Sequence, residues 1–315
     1  MKKTILAAVL ALSLALTSCG QAPAPARLTV VCTTYPIYLF ARSLTGGAEG
    51  VTVERLDTGS TSCLHDYTLS MGDMKKLERA DVIAVNGAGL EEFLEDALKT
   101  SDAQVIDCSQ GIELLENRSH RHEEDGADHD GHDHGHWDPH YWMDPARALQ
   151  MMENLEAGLS AADPENGQVY FDNRIREIAF LELRQDLARE LMDKFGGPAQ
   201  KAGLITFHDG FQYFAEAYGL TLLASIEEEA GSEASAHEIV EITELVREYD
   251  IPVIFTEVNG SGATADAIAR ETGCRVAVLN MMMDGPEDGS YLDGLMDNVI
   301  AVVNGYAGKE LVQQG

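Results

Sequence analysis

The segment PENGQVYFDNRIREIAFLELRQDLARELMDKFGG, residues 164–197, divides the chain and decides how the rest of it is interpreted. Its apolar residues recur at roughly helical spacing. Pro164 stands where a first helical turn tolerates proline, and Gly196-Gly197 ends the pattern. About thirty residues in one helix would measure on the order of 45 Å. The segment therefore predicts a linking helix over 164–196, a stiff connector that limits how far its two neighbours can separate.

Short β-branched runs alternate with helical patterns on both sides of this helix. Such alternation is typical of parallel sheets with right-handed crossover connections. The predicted strands cover residues 28–34, 51–57, 81–86 and 103–108 before the helix, and residues 202–207, 220–226, 251–257 and 275–280 after it. The sequence therefore predicts an α/β fold with two β/α lobes, residues 28–163 and 197–315, joined by the linking helix.

The N-terminus carries the features of an export signal. Lys2 and Lys3 precede a short apolar run, and Cys19 then follows Leu-Thr-Ser, a pattern that resembles a bacterial lipobox. The run is too short to span a membrane comfortably. We expect residues 1–18 to be a signal peptide. Cys19 would be lipidated, and residues 19–27 would tether the lobes to the bacterial cell membrane, on its extracellular face or in a periplasm.

The composition limits the partners of the chain. Apolar residues make up 45% of the sequence, which is enough for a large core, and the formal net charge is −31. An acidic surface of this kind repels nucleic acid and anionic lipid and attracts cations. We therefore expect no nucleic-acid partner and contact with the membrane through the lipid anchor alone.

Three histidines follow predicted strands. In doubly wound α/β structures, ligands bind beyond the carboxyl ends of the strands. His65 and His140 follow the second and fourth strands across loops, and His208 directly follows the fifth. Imidazole nitrogens suit Zn²⁺, whereas a carboxylate-rich set favours Mn²⁺. The three histidines therefore predict one zinc site in the cleft between the lobes.

The stretch HRHEEDGADHDGHDHGHWDPHYWMDP, residues 120–145, contains seven of the ten histidines of the chain. His140 differs from the other six because Trp137, Trp142 and Tyr141 surround it, and aromatic neighbours hold an imidazole still. The other six alternate with glycines and acidic residues, which predicts a solvated accessory loop over 120–136 that captures zinc. These six are His120, His122, His129, His132, His134 and His136.

Four segments resemble the zinc- and manganese-binding substrate-binding lipoproteins of bacterial ABC transporters. They are HDYTLSMGD (65–73), DPHYWMDP (138–145), FHDGFQYFAEAYGL (207–220) and IFTEVNGSGATADAIARETG (254–273). The resemblance covers nearly the whole chain after the signal, including the linking helix and the His-rich loop. It implies two lobes joined by a backbone helix, with a metal ion held between them by His65, His140 and His208. It also implies delivery of the metal to an ABC permease. We expect the protein to be a monomer and not an enzyme.

The resemblance breaks at the fourth ligand. The family usually places an acidic residue at the end of a strand that reads VLD, whereas the strand here reads AVLN and ends in Asn280. Asn280 would bind weakly through an uncharged oxygen, or water would take its place, or Glu257 or Asp284 would reach the metal. The lost carboxylate favours zinc over manganese. Asp144 and Asp209 are candidates for orienting the imidazoles.

Two other classes of function stay open. A zinc ion with three histidine ligands and an open position also characterises zinc-dependent hydrolases. Against that class, HEIVE (237–241) is not an H-E-x-x-H motif, and Glu257 is the one candidate base near the three histidines. His237 itself suits a surface or capping position. A surface adhesin or a zinc buffer would keep the metal site and need no permease.

Overall fold

The computed structural model describes residues 27–58, 64, 67–118, 136–227, 235–258 and 262–313. The first lobe contains β1 (Leu28–Cys32), α1 (Tyr35–Thr45), β2 (Val51–Arg55), α2 (Met71–Glu78), β3 (Val82–Val85), α3 (Glu95–Thr100), β4 (Gln104–Asp107) and α4 (Pro145–Ala162). The linking helix α5 (Gly167–Phe195) follows. The second lobe contains α6 (Gly197–Ala202), β5 (Leu204–His208), α7 (Gln212–Ala217), β6 (Leu222–Glu227), α8 (Ala236–Glu248), β7 (Val253–Glu257), α9 (Gly262–Thr272), β8 (Arg275–Leu279) and α10 (Tyr291–Ala307).

Each lobe is built on a four-stranded parallel sheet. The strand orders are β2-β1-β3-β4 and β6-β5-β7-β8, so the two lobes share one topology. In this order the chain reverses its winding between β1 and β3 in the first lobe, and between β5 and β7 in the second. The crevice at such a topological switch point is where α/β sheets bind ligands. The predicted two-lobed α/β fold is confirmed.

The linking helix is part of the core and does more than connect the lobes. Leu181, Ala188 and Met192 of α5 are buried in one continuous apolar cluster with Val30 of the first sheet and Val303 of α10. Burying an apolar side chain of this kind stabilises the fold by roughly 1.5–3 kcal/mol. The two lobes therefore pack on opposite parts of one rigid element.

The linking helix begins later than its sequence pattern. It starts at Gly167 because the Asp163 carboxylate accepts hydrogen bonds from Asn166 (2.7 Å) and Tyr170 (2.8 Å), which holds the residues after Pro164 in a turn. At 29 residues it is a long helix, but it carries many charged side chains. Within the part of the chain that the structure describes, no helix combines the length and the apolar character needed to cross a membrane.

Hydrogen bonds tie the lobes together at the seam, the surface where they meet. Trp142 Nε1 donates to the Met281 carbonyl (2.9 Å), and Tyr291 Oη donates to the Trp142 carbonyl (2.6 Å). Farther along the seam, Tyr35 Oη donates to a carbonyl of the loop that follows β8, where a Cβ on Gly289 would lie 2.0 Å from the tyrosine oxygen. Glycine is therefore required where this loop receives the tyrosine of the other lobe.

Candidate metal centre

Two of the predicted ligands meet at the seam. His140 Nε2 and His208 Nε2 lie 3.3 Å apart, with the ring planes at 90°. His208 is the last residue of β5, and His140 precedes a short 3₁₀ helix in the loop between β4 and α4. Both side chains are buried. A tetrahedral zinc ion with Zn–N distances of 2.0–2.1 Å places two ligand nitrogens about 3.3–3.4 Å apart. The observed separation matches that spacing, and it also matches a direct hydrogen bond between the two rings.

Asp138 orients the imidazole of His140. Asp138 Oδ1 lies 2.8 Å from His140 Nδ1 and also accepts the His140 backbone N–H at 2.9 Å, and both residues are buried. A carboxylate at Nδ1 fixes the proton there, which leaves the lone pair of Nε2 directed at the seam. The sequence prediction missed Asp138, although a carboxylate two residues before a candidate ligand, as in Asp-Pro-His, is a signal that could have identified it.

Contacts from both lobes hold the segment around His140. Asn86 Nδ2 donates to the Pro139 carbonyl (3.1 Å), and Tyr141 Oη donates to the Asn86 carbonyl. From the second lobe, Tyr213 Oη donates to the Asp138 carbonyl (2.6 Å). The loop is thus fixed on both sides of the imidazole, although it belongs to no regular strand.

The two tryptophans near His140 have different surroundings. Trp142 is fully buried, and its ring contacts the His140 ring edge-on with centroids 5.3 Å apart. Trp137 is 41% exposed and packs instead on His136, at 4.5 Å between centroids. Trp137 also forms an antiparallel bridge with Glu116, a pairing that the sequence gives no means to foresee. The aromatic contact to His140 therefore comes from Trp142.

The second lobe supplies a carboxylate beside its histidine. Thr206 of β5 pairs with Phe255 of β7. Continuing this parallel register to the strand ends brings His208 beside Glu257, the last residue of β7. Glu257 is 4% exposed. One imidazole and one carboxylate therefore occupy the switch point of the second sheet.

The other two candidates for a fourth ligand, Asn280 and Asp284, lie in the segment after β8. Asn280 Oδ1 accepts the Met282 backbone N–H (2.7 Å), and Met282 has a left-handed backbone with φ of 58°. The Asn280 backbone is in turn paired with the Asn298 side chain. Asp284 forms an ion pair with Arg55 of the first lobe at 2.7 Å. Asn280 thus stabilises a strained turn, and Asp284 links the two lobes.

Asp144 and Asp209 have local roles. Asp144 caps α4 by accepting the Ala146 backbone N–H, and it pairs with Arg147 at 2.6 Å. Asp209 accepts a hydrogen bond from Ser225 Oγ (2.6 Å), and burial raises the pKa of its carboxyl above the ordinary value. The carboxylate that contacts the His140 imidazole is that of Asp138.

Several predicted residues lie outside the described part of the chain. These are Cys19, His65 and the loop histidines His120, His122, His129, His132 and His134. Of the remaining histidines, His136 is exposed, and exposed His237 on α8 lies 3.4 Å from Glu241. Within the described ranges, no group of three or more His, Cys, Asp or Glu side chains is arranged to hold a metal ion.

Comparison with known proteins identifies the family. The chain matches the model described as zinc-uptake complex component A, periplasmic (ZnuA), over residues 30–305. It is 30% identical over 287 residues to the zinc-binding lipoprotein AdcA of Streptococcus pneumoniae, which covers 89% of this chain and 55% of AdcA. It is also 30% identical over 259 residues to the high-affinity zinc uptake system protein ZnuA of Bacillus subtilis, covering 81% and 79%. The chain thus spans about half the length of the streptococcal relatives that it matches.

Solved structures show the same fold. A crystal structure of ZnuA aligns with a TM-score of 0.74 at 23% identity, covering 89% of this chain and 99% of that one. The laminin-binding protein of Streptococcus agalactiae, described as bifunctional with adhesin and metal-transporting activity, aligns at 0.74 and 24% identity with the same coverage. The nickel complex of FpvC from Pseudomonas aeruginosa aligns at 0.72 and 21%, covering 90% and 97%. Since the family model spans most of the sequence, the chain belongs to the ZnuA family of zinc-uptake complex components.

Proposed function

We propose that this protein captures a divalent metal ion, Zn²⁺, outside the cytoplasm and delivers it to an ABC permease for import. The observation that carries the proposal is the 3.3 Å separation of His140 Nε2 and His208 Nε2 across the seam. Asp138 keeps the proton of His140 on Nδ1, so the facing nitrogen offers a lone pair to a cation. Membership of a zinc-uptake family supports Zn²⁺ as the ion.

We propose His65 as the third ligand and Glu257 as the fourth. Glu257 is supported by its burial and by the register of β5 and β7, which brings it beside His208 at the strand ends. Three imidazole nitrogens and one carboxylate oxygen form a tetrahedral zinc set. A site with a single carboxylate suits Mn²⁺ less well.

The bound ion would be released by local motion of the loops at the seam. The linking helix is packed into both lobes, and Trp142 and Met281 are hydrogen-bonded across the seam beside the metal centre. Large hinge opening would break both sets of contacts. We expect the radius of gyration of the apo and zinc-loaded protein in solution to agree, and a change of several ångströms would contradict a rigid frame.

The proposed location follows from the N-terminal features. We propose that Cys19 is lipidated and anchors a monomer to the membrane that holds the permease. The loop 120–136 would then collect zinc near the cleft. Binding and delivery need no chemical step, so we propose a binding protein and not an enzyme.

Zinc calorimetry on residues 19–315, with and without deletion of residues 120–136, tests the proposal. We expect both forms to keep one tight zinc site and the deletion to remove only weaker binding. Glu257→Ala should weaken that site more than Asn280→Ala does, and Asn280→Asp should raise the relative affinity for Mn²⁺. Absence of a tight site from both forms would refute the proposal.

Transport itself requires a cellular test. Deleting the gene should impair growth in zinc-depleted medium, and added zinc should restore growth. Normal growth of the deletion strain would favour a zinc buffer or an adhesin over a component of uptake.

A further inference from the structure

We propose that Glu91 is a positioning residue for the metal centre: it holds Asn86, and Asn86 holds the segment that carries His140. The inference rests on the proposed function, since it concerns the placement of a ligand in that site. Glu91 touches neither histidine, and its effect would be transmitted through hydrogen bonds.

Glu91 lies at the switch point of the first sheet. Its Oε1 accepts hydrogen bonds from Thr33 Oγ1 (2.5 Å) and from the Asn86 backbone N–H (2.6 Å). Its Oε2 accepts the Gly87 backbone N–H at 2.9 Å. Thr33 directly follows β1 and Asn86 directly follows β3, so one carboxylate links the ends of two neighbouring strands.

Asn86 connects this carboxylate to the metal centre. Asn86 is fully buried, and its side chain donates to the carbonyl of Pro139 at 3.1 Å. Its own carbonyl accepts the hydroxyl hydrogen of Tyr141. These two bonds hold the residues on either side of His140, so a shift of Asn86 would move the imidazole.

The turn that begins at Asn86 requires support. Gly87, Ala88 and Gly89 have positive φ values of 77°, 55° and 86°, and the left-handed region is unfavourable for alanine. Gly87 has no room for a side chain either, because a Cβ there would lie 2.1 Å from Asp107 Oδ1. Three successive residues keep this unfavourable conformation only when contacts with their surroundings stabilise it. Strained backbone of this kind is found most often at functional sites. The Glu91 carboxylate supplies one of those contacts.

Stability alone does not account for a carboxylate in this position. Burial raises the pKa of Glu91 to about 7, although its three hydrogen bonds act in the opposite direction. An ionisable group that is costly to bury is weak evidence for a stabilising role. Three donors that converge on the two oxygens, with the ligand segment attached to one of the donors, point to positioning instead.

The variant Glu91→Gln tests this role. Glutamine replaces one acceptor oxygen with an NH₂ group, so one of the three donors must face another donor. We expect zinc affinity, measured by chelator competition on the protein without residues 120–136, to fall about tenfold or more. The Co²⁺ absorption spectrum of the saturated site should also change, because its ligand geometry is altered.

Leu94→Ala is the matched control. Leu94 is a fully buried apolar residue of the same segment, and its removal destabilises the first lobe. We expect its zinc affinity to stay within about threefold of the wild type, because the bonds of Asn86 are intact. Equal losses in both variants would show general destabilisation and overturn the proposal.

A second variant decides the matter if Glu91→Gln fails to fold. Asn86→Ala removes the bond to Pro139 and should weaken zinc binding several-fold. Wild-type affinity in Asn86→Ala, or in a folded Glu91→Gln, would overturn the positioning role. A wild-type protein with no tight site would instead refute the proposed function, so the two failures are distinguishable.

Discussion

The two lobes share one strand order, but their switch points are filled differently. In the second lobe the ends of β5 and β7 present His208 and Glu257 at the seam. In the first lobe the ends of β1 and β3 are joined by Glu91, and the imidazole at the seam is His140, from a loop. One topology can therefore place an imidazole directly on a strand end, or indirectly through a loop anchored at the same point.

Removing either imidazole should cause the largest loss of zinc affinity. We expect His140→Ala and His208→Ala each to weaken zinc binding about a hundredfold or more, because each deletes a nitrogen from one shared coordination sphere. Calorimetry on the protein without residues 120–136 measures the loss, and circular dichroism confirms folding. If one lobe alone held the ion, one of the two variants would keep wild-type affinity, and this result would contradict a shared site.

Asp138→Asn tests whether the imidazoles of the two lobes are held in place differently. The loop-held imidazole depends on its carboxylate, so we expect zinc affinity to fall about ten- to hundredfold, as for other outer carboxylate partners of metal-binding histidines. Asp209→Asn is the control from the second lobe, where the carboxylate binds Ser225. Equal effects of the two substitutions on chelator competition would remove the distinction between loop-held and strand-held ligands.

Gly210→Ala perturbs the strand-held imidazole. A Cβ at Gly210 would lie 2.5 Å from Met281 Cε and 2.8 Å from His208 Cδ2. We expect a destabilisation of about 1–3 kcal/mol in urea unfolding and a several-fold loss of zinc affinity, because the imidazole must move. Gly197→Ala, where nothing lies within 4 Å of the added atom, should leave affinity unchanged. Equal affinity in both variants would show that the added Cβ at position 210 does not displace the His208 imidazole.

The titration of Glu91 affects the stability of the apo protein. Its pKa is raised from 4.5 to about 7 in the folded protein, so unfolding releases a proton between these values. The unfolding free energy of the apo protein relative to Glu91→Gln should therefore fall as pH rises through this window, by at most about 1.4 kcal/mol per pH unit, and level off above it. Urea unfolding at pH 5, 6, 7 and 8 measures the difference, and a constant difference would place the Glu91 pKa outside the window.

The fold could be predicted because its signals are local. Alternating strands and helices define the two parallel sheets, and the spacing in residues 164–197 defines the linking helix. The prediction that His208 lies at the end of a strand is confirmed, and its role as a ligand stays a prediction. The linking helix starts at Gly167, three residues after the predicted start. The reason is that the Asp163 side chain binds Asn166 and Tyr170, which lie after the predicted start.

The environment of His140 could be predicted only in part. Its aromatic neighbours are adjacent in sequence, but Asn86 lies in another strand connection, and Tyr213 and Met281 belong to the other lobe. No periodicity encodes contacts of that range. The partner of the Asn280 backbone is equally non-local, since it is the side chain of Asn298 in α10.

Anomalous diffraction at the zinc edge, from crystals of residues 19–315 loaded with one equivalent of zinc, tests the central claim most directly. We expect a single peak at the seam, about 2.0–2.1 Å from both His140 Nε2 and His208 Nε2. A seam without a peak, with all anomalous density elsewhere on the chain, would contradict it.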